Sequence, residues 1–415
     1  MTLKKILLIV IDGISDRPVG NTTPLESADT PNLDYFAGKG INGIMDTISP
    51  GIRPGSDTSH LALFGYNPFE CYSGRGPIEA AGAGIELKHG DLAFRVNFGT
   101  VEGNGESVFE KKVIDRRAGR ISDTDALVEA VSKIDLSRFG IEFTFRRGSG
   151  HRGAIVFRGK MISDRVSDTD PKETGKNVKK AKPLDDSDKA RITAEAINYF
   201  MEEAHRLLDS HPVNIEREKK GLLKGNVLLL RGGGVVRKVQ SFEEKFGLKL
   251  AFITGTTLIK GIGRFIGADI IEVEGATGNS RTNLRGKFST AIRALDRYDV
   301  VLVHIKAADE FGHDGDFEGK KRFIERLDRE IEILRELDFS EICMIITADH
   351  STPVTVRDHT ADPVPVTILH DGVRVDDVKK FSELKAYKGG LCRIRGRDLI
   401  HIALDLTNRA GKFGA

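Results

Sequence analysis

Features that mark several protein classes are scarce in this sequence. Its 415 residues include only three cysteines, Cys71, Cys343 and Cys392. They are too few and too scattered for a disulfide framework or a cysteine zinc site. Cys343 lies inside an apolar segment, so we expect it to be packed in the core. This cysteine usage is typical of a reducing cytoplasm, and we expect a cytoplasmic protein.

Long apolar runs and strong charge of one sign are also missing. No stretch of about 18 apolar residues occurs, so no membrane span is predicted. The first apolar run begins at residue 4, which leaves no room for the charged region and cleavage site of a signal peptide. The net charge is +2, and no basic stretch is interleaved with aromatic residues. We therefore expect no nucleic-acid partner.

Two nucleotide-binding signatures are absent as well. The sequence has no G-x-x-x-x-G-K-[ST] loop, and its closest glycine pattern, GIGRFIG, departs from the dinucleotide fingerprint. The G-x-S-x-G elbow of serine hydrolases is not present either. Chemistry at a serine would therefore need a different means of activation.

What the sequence does contain is an alternation of strand and helix patterns. KKILLIVIDG, VVLVHI and ICMIITAD are apolar on both faces, which predicts central strands of a covered parallel sheet. Between and before them lie further strand patterns that end in glycine, and helical patterns such as EGKKRFIERLDREIEILRELD. The alternation predicts an α/β fold with a doubly wound, mostly parallel sheet.

A change of texture from about Lys112 indicates an inserted module. IEFTFRRGSGHRGAIVFRG predicts two strands around a tight turn, and a strongly polar stretch follows it. We assign residues 113–182 to a smaller α+β domain with polar hinges. Residues 1–112 and 183–415 then form the core, including the amphipathic helix predicted from KARITAEAINYFMEEAHRLLDSHP.

Three aspartates follow predicted strands of the core. Asp12, Asp309 and Asp349 each lie at a strand's carboxyl end, where open α/β sheets bind their ligands. His313 follows Asp309 by four residues, which places both on one helix face. His350 and His359 come soon after Asp349. Taken singly, such an aspartate can be a helix N-cap and such a histidine an ordinary polar residue.

Taken together, the three aspartates and three histidines suit zinc, manganese or cobalt better than calcium, and could fill two metal sites. Two metals can hold both oxygens of a phosphoryl displacement. Ser56, in the loop PGSDTSH, is a candidate nucleophile. A serine hydroxyl needs a base or a metal to become reactive, and metal activation is the more economical hypothesis here. The alternative is a simple Gly-Ser turn residue.

Six motifs, read in order, identify a family resemblance: LIVIDG, GSDTSHLALFGYNP, GRGPIEAAG, HIKAADEFGHDGD, TADHSTP and HTADPVPV. Together they resemble the archaeal-type cofactor-independent phosphoglycerate mutases of the alkaline phosphatase superfamily, over almost the whole chain. The resemblance implies an alkaline-phosphatase-like core with an inserted lid. It also implies a phosphoserine intermediate and two divalent metals, manganese first, with zinc, cobalt or magnesium as alternatives. No 2,3-bisphosphoglycerate would be needed.

Carried onto this sequence, the resemblance makes Ser56 the nucleophile. One metal would be held by Asp12, Ser56, Asp349 and His350, and the other by Asp309, His313 and His359. His60 follows the nucleophile as in the family motif, and orienting the loop is an alternative role for it.

The doubly anionic substrate requires lasting positive charge, which arginine supplies in planar, bidentate form. We favour His151 and Arg152, which lie at a tight turn, and Arg75 within GRG. We add Lys260 because the family places a lysine near the phosphoserine. Further candidates, for which surface solvation is the alternative, are Arg95, Arg146, Arg147, Arg231 and Arg264.

The predicted function is therefore that of an isomerase interconverting 2- and 3-phosphoglycerate in glycolysis and gluconeogenesis. Its partner would be this small-molecule substrate, and a homo-oligomer is compatible with the sequence. One alternative keeps the site and changes the reaction, to a phosphatase, a phosphopentomutase or a small-molecule kinase. A more distant alternative is a non-catalytic protein with structural metals, whose sites would be closed by protein ligands.

Overall fold

The computed structural model describes residues 4–414, and its strands and helices are numbered here along the chain. The strands are β1 Lys5–Ile11, β2 Ile41–Asp46, β3 Leu92–Glu102, β4 Lys112–Asp115, β5 Ile141–Arg147, β6 Arg152–Gly159, β7 Val227–Val235, β8 Leu250–Ile253, β9 Asp269–Ile270, β10 Val300–Ile305, β11 Ile342–Thr347, β12 Val364–Leu369 and β13 Cys392–Arg395. The helices are α1 Pro24–Ser27, α2 Pro31–Lys39, α3 Ser56–Leu63, α4 Pro68–Cys71, α5 Arg75–Gly82, α6 Asp125–Val131, α7 Asp188–Asp209, α8 Pro212–Lys219, α9 Phe242–Phe246, α10 Thr257–Phe265, α11 Leu284–Ala294, α12 Ala307–Asp314, α13 Phe317–Ile331, α14 Glu383–Ala386 and α15 Gly396–Leu406. Short 3₁₀ helices cover Val108–Glu110, Ala118–Arg120, Ser137–Phe139 and Glu332–Glu336.

The chain divides into two compact units. The first comprises Met1–Glu70 and Gln240–Ala415, and the second Cys71–Val239. Within residues 4–414, no helix is both long enough and apolar enough to cross a membrane.

The first unit is built on an eight-stranded sheet in the order β13-β2-β12-β11-β1-β10-β8-β9. Its central strand, β1, runs parallel to β10 on one side and to β11 on the other, with Ile6 opposite Val300 and Cys343. Almost every residue of these three strands is buried, because helices cover both faces and leave no side of the strand in water. Of the described strands in this sheet, β12 alone runs antiparallel to its neighbours.

The helices of this unit form two packed sets. In one set α1, α2 and α11 contact α13, and in the other α10 and α15 contact α3. Two helix layers around one mostly parallel sheet are the doubly wound arrangement. The predicted α/β fold class is confirmed, as are the three central strands.

The second unit is an antiparallel sheet with helices, so the predicted α+β character is also confirmed. The strand order is β4-β3-β6-β5, and β7 pairs with the other edge of β3. The GSGHRG turn joins β5 to β6 as predicted. The larger of two apolar clusters in this unit includes Phe94, Phe157 and Phe200 from β3, β6 and α7.

The predicted limits of the inserted domain, 113–182, are too narrow at both ends. Strand β3 pairs with β6 and also with β7, so that Arg95 lies opposite both Ala154 and Arg231. Antiparallel pairing thus draws β3, β7 and the packed helix α7 into the second unit. The sequence predicts β7 and α7 as parts of the core, because an apolar run that ends in glycine does not reveal its strand partner and a helical pattern does not reveal the sheet it packs on.

Candidate metal centre

The three predicted aspartates lie at one edge of the parallel sheet. Asp12 directly follows β1, Asp349 follows β11 by two residues, and Asp309 lies in the first turn of α12, just after β10. These strands are parallel neighbours, so their carboxyl ends meet, and all three side chains are buried. Gly13 allows the close approach: it has a φ of +66°, and a Cβ there would lie 2.7 Å from the Cα of Asp309.

One group of potential ligands consists of Asp309, His313 and His359, whose donor atoms lie within 4.8 Å of one another. The Nε2 atoms of both histidines are 3.4 Å from Oδ1 of Asp309. Each Nδ1 is 2.9 Å from a backbone carbonyl oxygen, of Arg357 and Pro54 respectively. Because a carbonyl can only accept, each Nδ1 must carry the proton, and Nε2 is turned toward the carboxylate.

The second group consists of Asp12, Asp349 and His350, again with donor atoms within 4.8 Å. Nε2 of His350 lies 3.5 Å from Oδ1 of Asp12 and 3.3 Å from Oδ2 of Asp349. The Ser56 hydroxyl is 3.0 Å from the same Nε2. The rings of His350 and His359 stack with centroids 3.5 Å apart, so the two groups are adjacent.

Sequence reasoning missed Thr352, which fixes the orientation of His350. Its hydroxyl donates to Oδ1 of Asp309 at 2.6 Å and lies 3.1 Å from Nδ1 of His350. Since the hydroxyl proton is committed to the carboxylate, Nδ1 of His350 is the donor. Its Nε2 then carries a lone pair, and burial lowers the pKa of this ring. Nothing in the sequence pattern distinguishes Thr352 from other loop residues.

His304 and Lys306 were missed too, although a signal existed. His304 interrupts the buried run of β10, and its Nε2 lies 2.8 Å from Oδ2 of Asp12. Its Nδ1 lies 3.1 Å from the hydroxyl of Thr254. A histidine inside a buried strand requires a polar partner, and a neighbouring aspartate was available.

The electrostatics of the site favour cations. The ammonium of Lys306 lies 3.0 Å from Asp12 and 2.5 Å from Asp309. Burial, followed by the charge of Asp349, raises the pKa of Asp12 to about 6. Burial opposes ionisation of Asp349, but His350, His60 and Lys306 together lower its pKa to about 2. Three buried carboxylates around one lysine leave negative charge that further cations would offset.

The donor set fits divalent metal ions. Carboxylate oxygens and imidazole nitrogens are ligands of zinc, manganese and cobalt. Oδ2 of Asp349 is buried and accepts no hydrogen bond from any residue between 4 and 414, which is costly unless another partner is supplied. The predicted metal ligands and Ser56 are therefore brought together in two adjoining groups that can hold such ions.

Comparison with known proteins agrees with a metal-binding site. The Metalloenzyme superfamily model matches residues 4–406. A 2,3-bisphosphoglycerate-independent phosphoglycerate mutase of Archaeoglobus fulgidus is 64% identical over 410 residues, which cover 99% of this chain and 100% of that protein. The chain belongs to the 2,3-bisphosphoglycerate-independent phosphoglycerate mutase family. The predicted family and its enzyme class, an isomerase, are confirmed at this level.

Other relatives and solved structures match this chain over all or nearly all of its length. The mutase of Methanosphaera stadtmanae is 49% identical, with 99% of this chain and 100% of that protein covered. A solved structure from Pyrococcus horikoshii has a TM-score of 0.83 at 38% identity and covers all of both chains. The cofactor-independent phosphoglycerate mutase of Thermoplasma acidophilum has a TM-score of 0.73 at 38% identity, covering 97% of this chain and 100% of that one.

In this mutase, three of the predicted substrate-binding residues lie in the second unit. His151 and Arg152 are at the start of β6, and Arg75 begins α5, where it bonds to Glu79. All three lie near Arg95, one of the further candidates for which surface solvation is the alternative. Burial is the main cause that lowers the pKa of Arg95 to about 9, and the nearby charge of Glu79 opposes this shift only in part. The positive charges of Arg231, Arg75 and Arg152 contribute to the same lowering of the pKa.

Lys260, the fourth predicted residue, lies in the first unit on α10. Its ammonium donates to both carboxylate oxygens of Glu272, at 2.7 Å each. Its role in phosphate binding stays a prediction.

Proposed function

We propose that this protein interconverts 2- and 3-phosphoglycerate without 2,3-bisphosphoglycerate, through a phosphoserine at Ser56. The observation that carries the proposal is the position of Ser56: its hydroxyl lies 3.0 Å from His350, beside two buried groups of ligands. Ser56 is also the first residue of the eight-residue helix α3, and a helix N-terminus favours an attached phosphate. Membership of the phosphoglycerate mutase family supports phosphoglycerate as the substrate.

We assign one divalent ion to Asp12, Ser56, Asp349 and His350 and a second to Asp309, His313 and His359, with manganese as the first candidate and zinc, cobalt or magnesium as alternatives. Bound there, the ions would lower the pKa of the serine hydroxyl and offset the charge of the phosphoryl group. Because ligation uses the Nε2 lone pair, we assign His350 to holding the metal and not to accepting the serine proton.

The phosphoryl group is transferred in two steps, first to Ser56 and then from it. Oγ of Ser56 forms a bond to phosphorus as the bond from phosphorus to the glycerate oxygen breaks, and the serine proton passes to the departing glycerate oxygen. The other glycerate hydroxyl then bonds to phosphorus as the bond from Oγ to phosphorus breaks, and its proton returns to Oγ of Ser56. Exclusion of water is required throughout, because water as the acceptor would make the enzyme a phosphatase.

We assign recognition of the substrate carboxylate to the arginines around Arg95, together with His151. Nε of Arg95 is buried and makes no hydrogen bond within residues 4–414, and three further arginines raise the local positive charge. Such a cluster suits a bidentate anion. Burial, followed by Arg152 and Arg117, lowers the pKa of His151 to about 4, so this ring is neutral near pH 7 and can donate or accept. The lid role of the second unit, a cytoplasmic location and a homo-oligomer remain proposals.

The deciding experiment is a coupled assay on 3-phosphoglycerate with no 2,3-bisphosphoglycerate. We expect activity to disappear on chelation, to return with Mn²⁺, and to be lost in Ser56→Ala with its metal content mostly retained. The assay also measures inorganic phosphate, which distinguishes a mutase from a phosphatase. Failure to form 2-phosphoglycerate under any divalent metal would overturn the proposal, and full activity in Ser56→Ala would overturn the role of that residue.

A further inference from the structure

A buried lysine outside the ligand groups connects the loops that carry them. Lys320 lies in α13, and its side chain has no solvent exposure. Its ammonium donates three hydrogen bonds: to Oδ2 of Asp16 at 2.8 Å, to the carbonyl of Ser15 at 3.2 Å and to the carbonyl of Thr352 at 3.0 Å. A lysine has three donors, so every one is used.

The three acceptors belong to two loops of the metal centre. Ser15 and Asp16 follow Asp12, and Thr352 follows Asp349 and His350. The loops also bond directly, since the backbone N–H of Thr352 donates to the carbonyl of Ser15 at 3.1 Å. The ammonium of Lys320 therefore contacts both loops where they meet.

Asp16 and Thr352 link this junction to the rest of the second loop and to Asp309. The carboxylate of Asp16 accepts the N–H of Val354 at 3.1 Å, which fixes the far end of the second loop. The hydroxyl of Thr352 holds Asp309. A displacement of this junction would thus move ligands of both groups.

Stability alone gives little reason for such an arrangement. Both Lys320 and Asp16 have fully buried side chains, and well-packed apolar residues in place of a buried ion pair are often as stable or more so. A cation with three fixed acceptors does, however, set the spacing of the loops that hold them. We propose that Lys320 is a positioning residue of the metal centre, which holds the Asp12 loop and the Asp349 loop in register for metal binding.

This inference rests on the proposed metal ligands, and Lys320→Met tests it with Mn²⁺ alone as the probe. The full chain is stripped with a chelator, and Mn²⁺ affinity is measured by calorimetry and by the electron paramagnetic resonance of the free ion. We expect affinity to fall by roughly 10–100-fold, as for changes behind metal ligands in other proteins. Excess Mn²⁺ should restore much of the turnover.

Asp328 provides a matched control on the same helix. It is buried, two turns beyond Lys320, and accepts the N–H groups of Asn32 and Leu33 at the start of α2. Asp328→Asn should lower the melting temperature while leaving Mn²⁺ affinity within twofold of the wild type. A purely structural Lys320 would behave in the same way.

Unchanged Mn²⁺ affinity in folded Lys320→Met would overturn the inference. If that variant does not fold, the comparison uses Asp16→Asn with Lys320→Met, which removes both buried charges together and avoids an unpaired carboxylate; unchanged affinity there would overturn it equally. A wild-type chain that binds no Mn²⁺ would overturn the proposed metal centre as well, so the two failures are distinguishable.

Discussion

The hydroxyl of Thr352 offers the sharpest test of how the centre is held together. It donates to Asp309 at 2.6 Å and lies 3.1 Å from Nδ1 of His350, so one atom orients a ligand from each group. Thr352→Val keeps the shape and removes the hydroxyl. The carboxylate then loses a short donor and the buried ring N–H of His350 loses its acceptor.

The magnitude follows from these two bonds. An unsatisfied buried donor costs about 1–3 kcal/mol, and both ligands become free to turn away from their metals. We expect Mn²⁺ affinity to fall by roughly 10–100-fold, which corresponds to about 1.4–2.7 kcal/mol. Calorimetric titration of the chelator-stripped protein measures this directly, and mutase activity should require correspondingly more Mn²⁺.

Thr352→Ser is the matched control, because it keeps the hydroxyl and loses only a methyl group. It should bind Mn²⁺ nearly as the wild type does, with some loss of stability. If Thr352→Val binds Mn²⁺ as tightly as Thr352→Ser, the hydroxyl does not orient the ligands and the reasoning is wrong.

Three further predictions address other parts of the molecule. Arg95→Met should raise KM for 3-phosphoglycerate at least about tenfold without lowering the melting temperature, since it relieves repulsion among arginines; an unchanged KM would remove Arg95 from the substrate site. Lys287 is fully buried, and burial lowers its pKa to about 8 from an ordinary 10.5. Between those values the unfolded chain holds a proton that the folded chain has lost, so urea titrations should show wild-type stability rising with pH relative to Lys287→Met, by about 3 kcal/mol in total; parallel curves would contradict this. Cys392 is exposed, whereas Cys343 is buried and burial raises the pKa of its thiol to about 12, so a thiol reagent should label Cys392 at once and Cys343 only on unfolding, and prompt labelling of Cys343 would show that β11 opens.

The sequence could predict that the candidate metal ligands gather at one edge of the sheet because two local rules combine. Apolar runs identify β1, β10 and β11 as buried strands, and ligands of parallel sheets gather at their carboxyl ends. Helical spacing then places His313 beside Asp309. None of these steps requires knowing which strands, far apart in the chain, pair with each other.

The rest depended on contacts that leave no local pattern. The extent of the second unit is set by antiparallel pairing of β3 with β7, more than a hundred residues later in the chain, and a strand does not name its partner. Thr352 and Lys320 act through loop carbonyls and hydroxyls, which any polar residue could offer. His304 was the exception, because a histidine within a buried strand could have been matched to Asp12.

The parallel pairing of β1 also has a consequence for synthesis of the chain. Its two neighbours, β10 and β11, pair with it from Val300 and Ile342 onward, so both leave the ribosome long after β1. At about 5–20 residues per second, the first strand made must wait roughly 15–60 s for its partners. Throughout that time an apolar strand with two open edges is available to other nascent chains. Production of this enzyme should therefore depend on chaperones that shield the N-terminal segment, and fast translation should favour the soluble product.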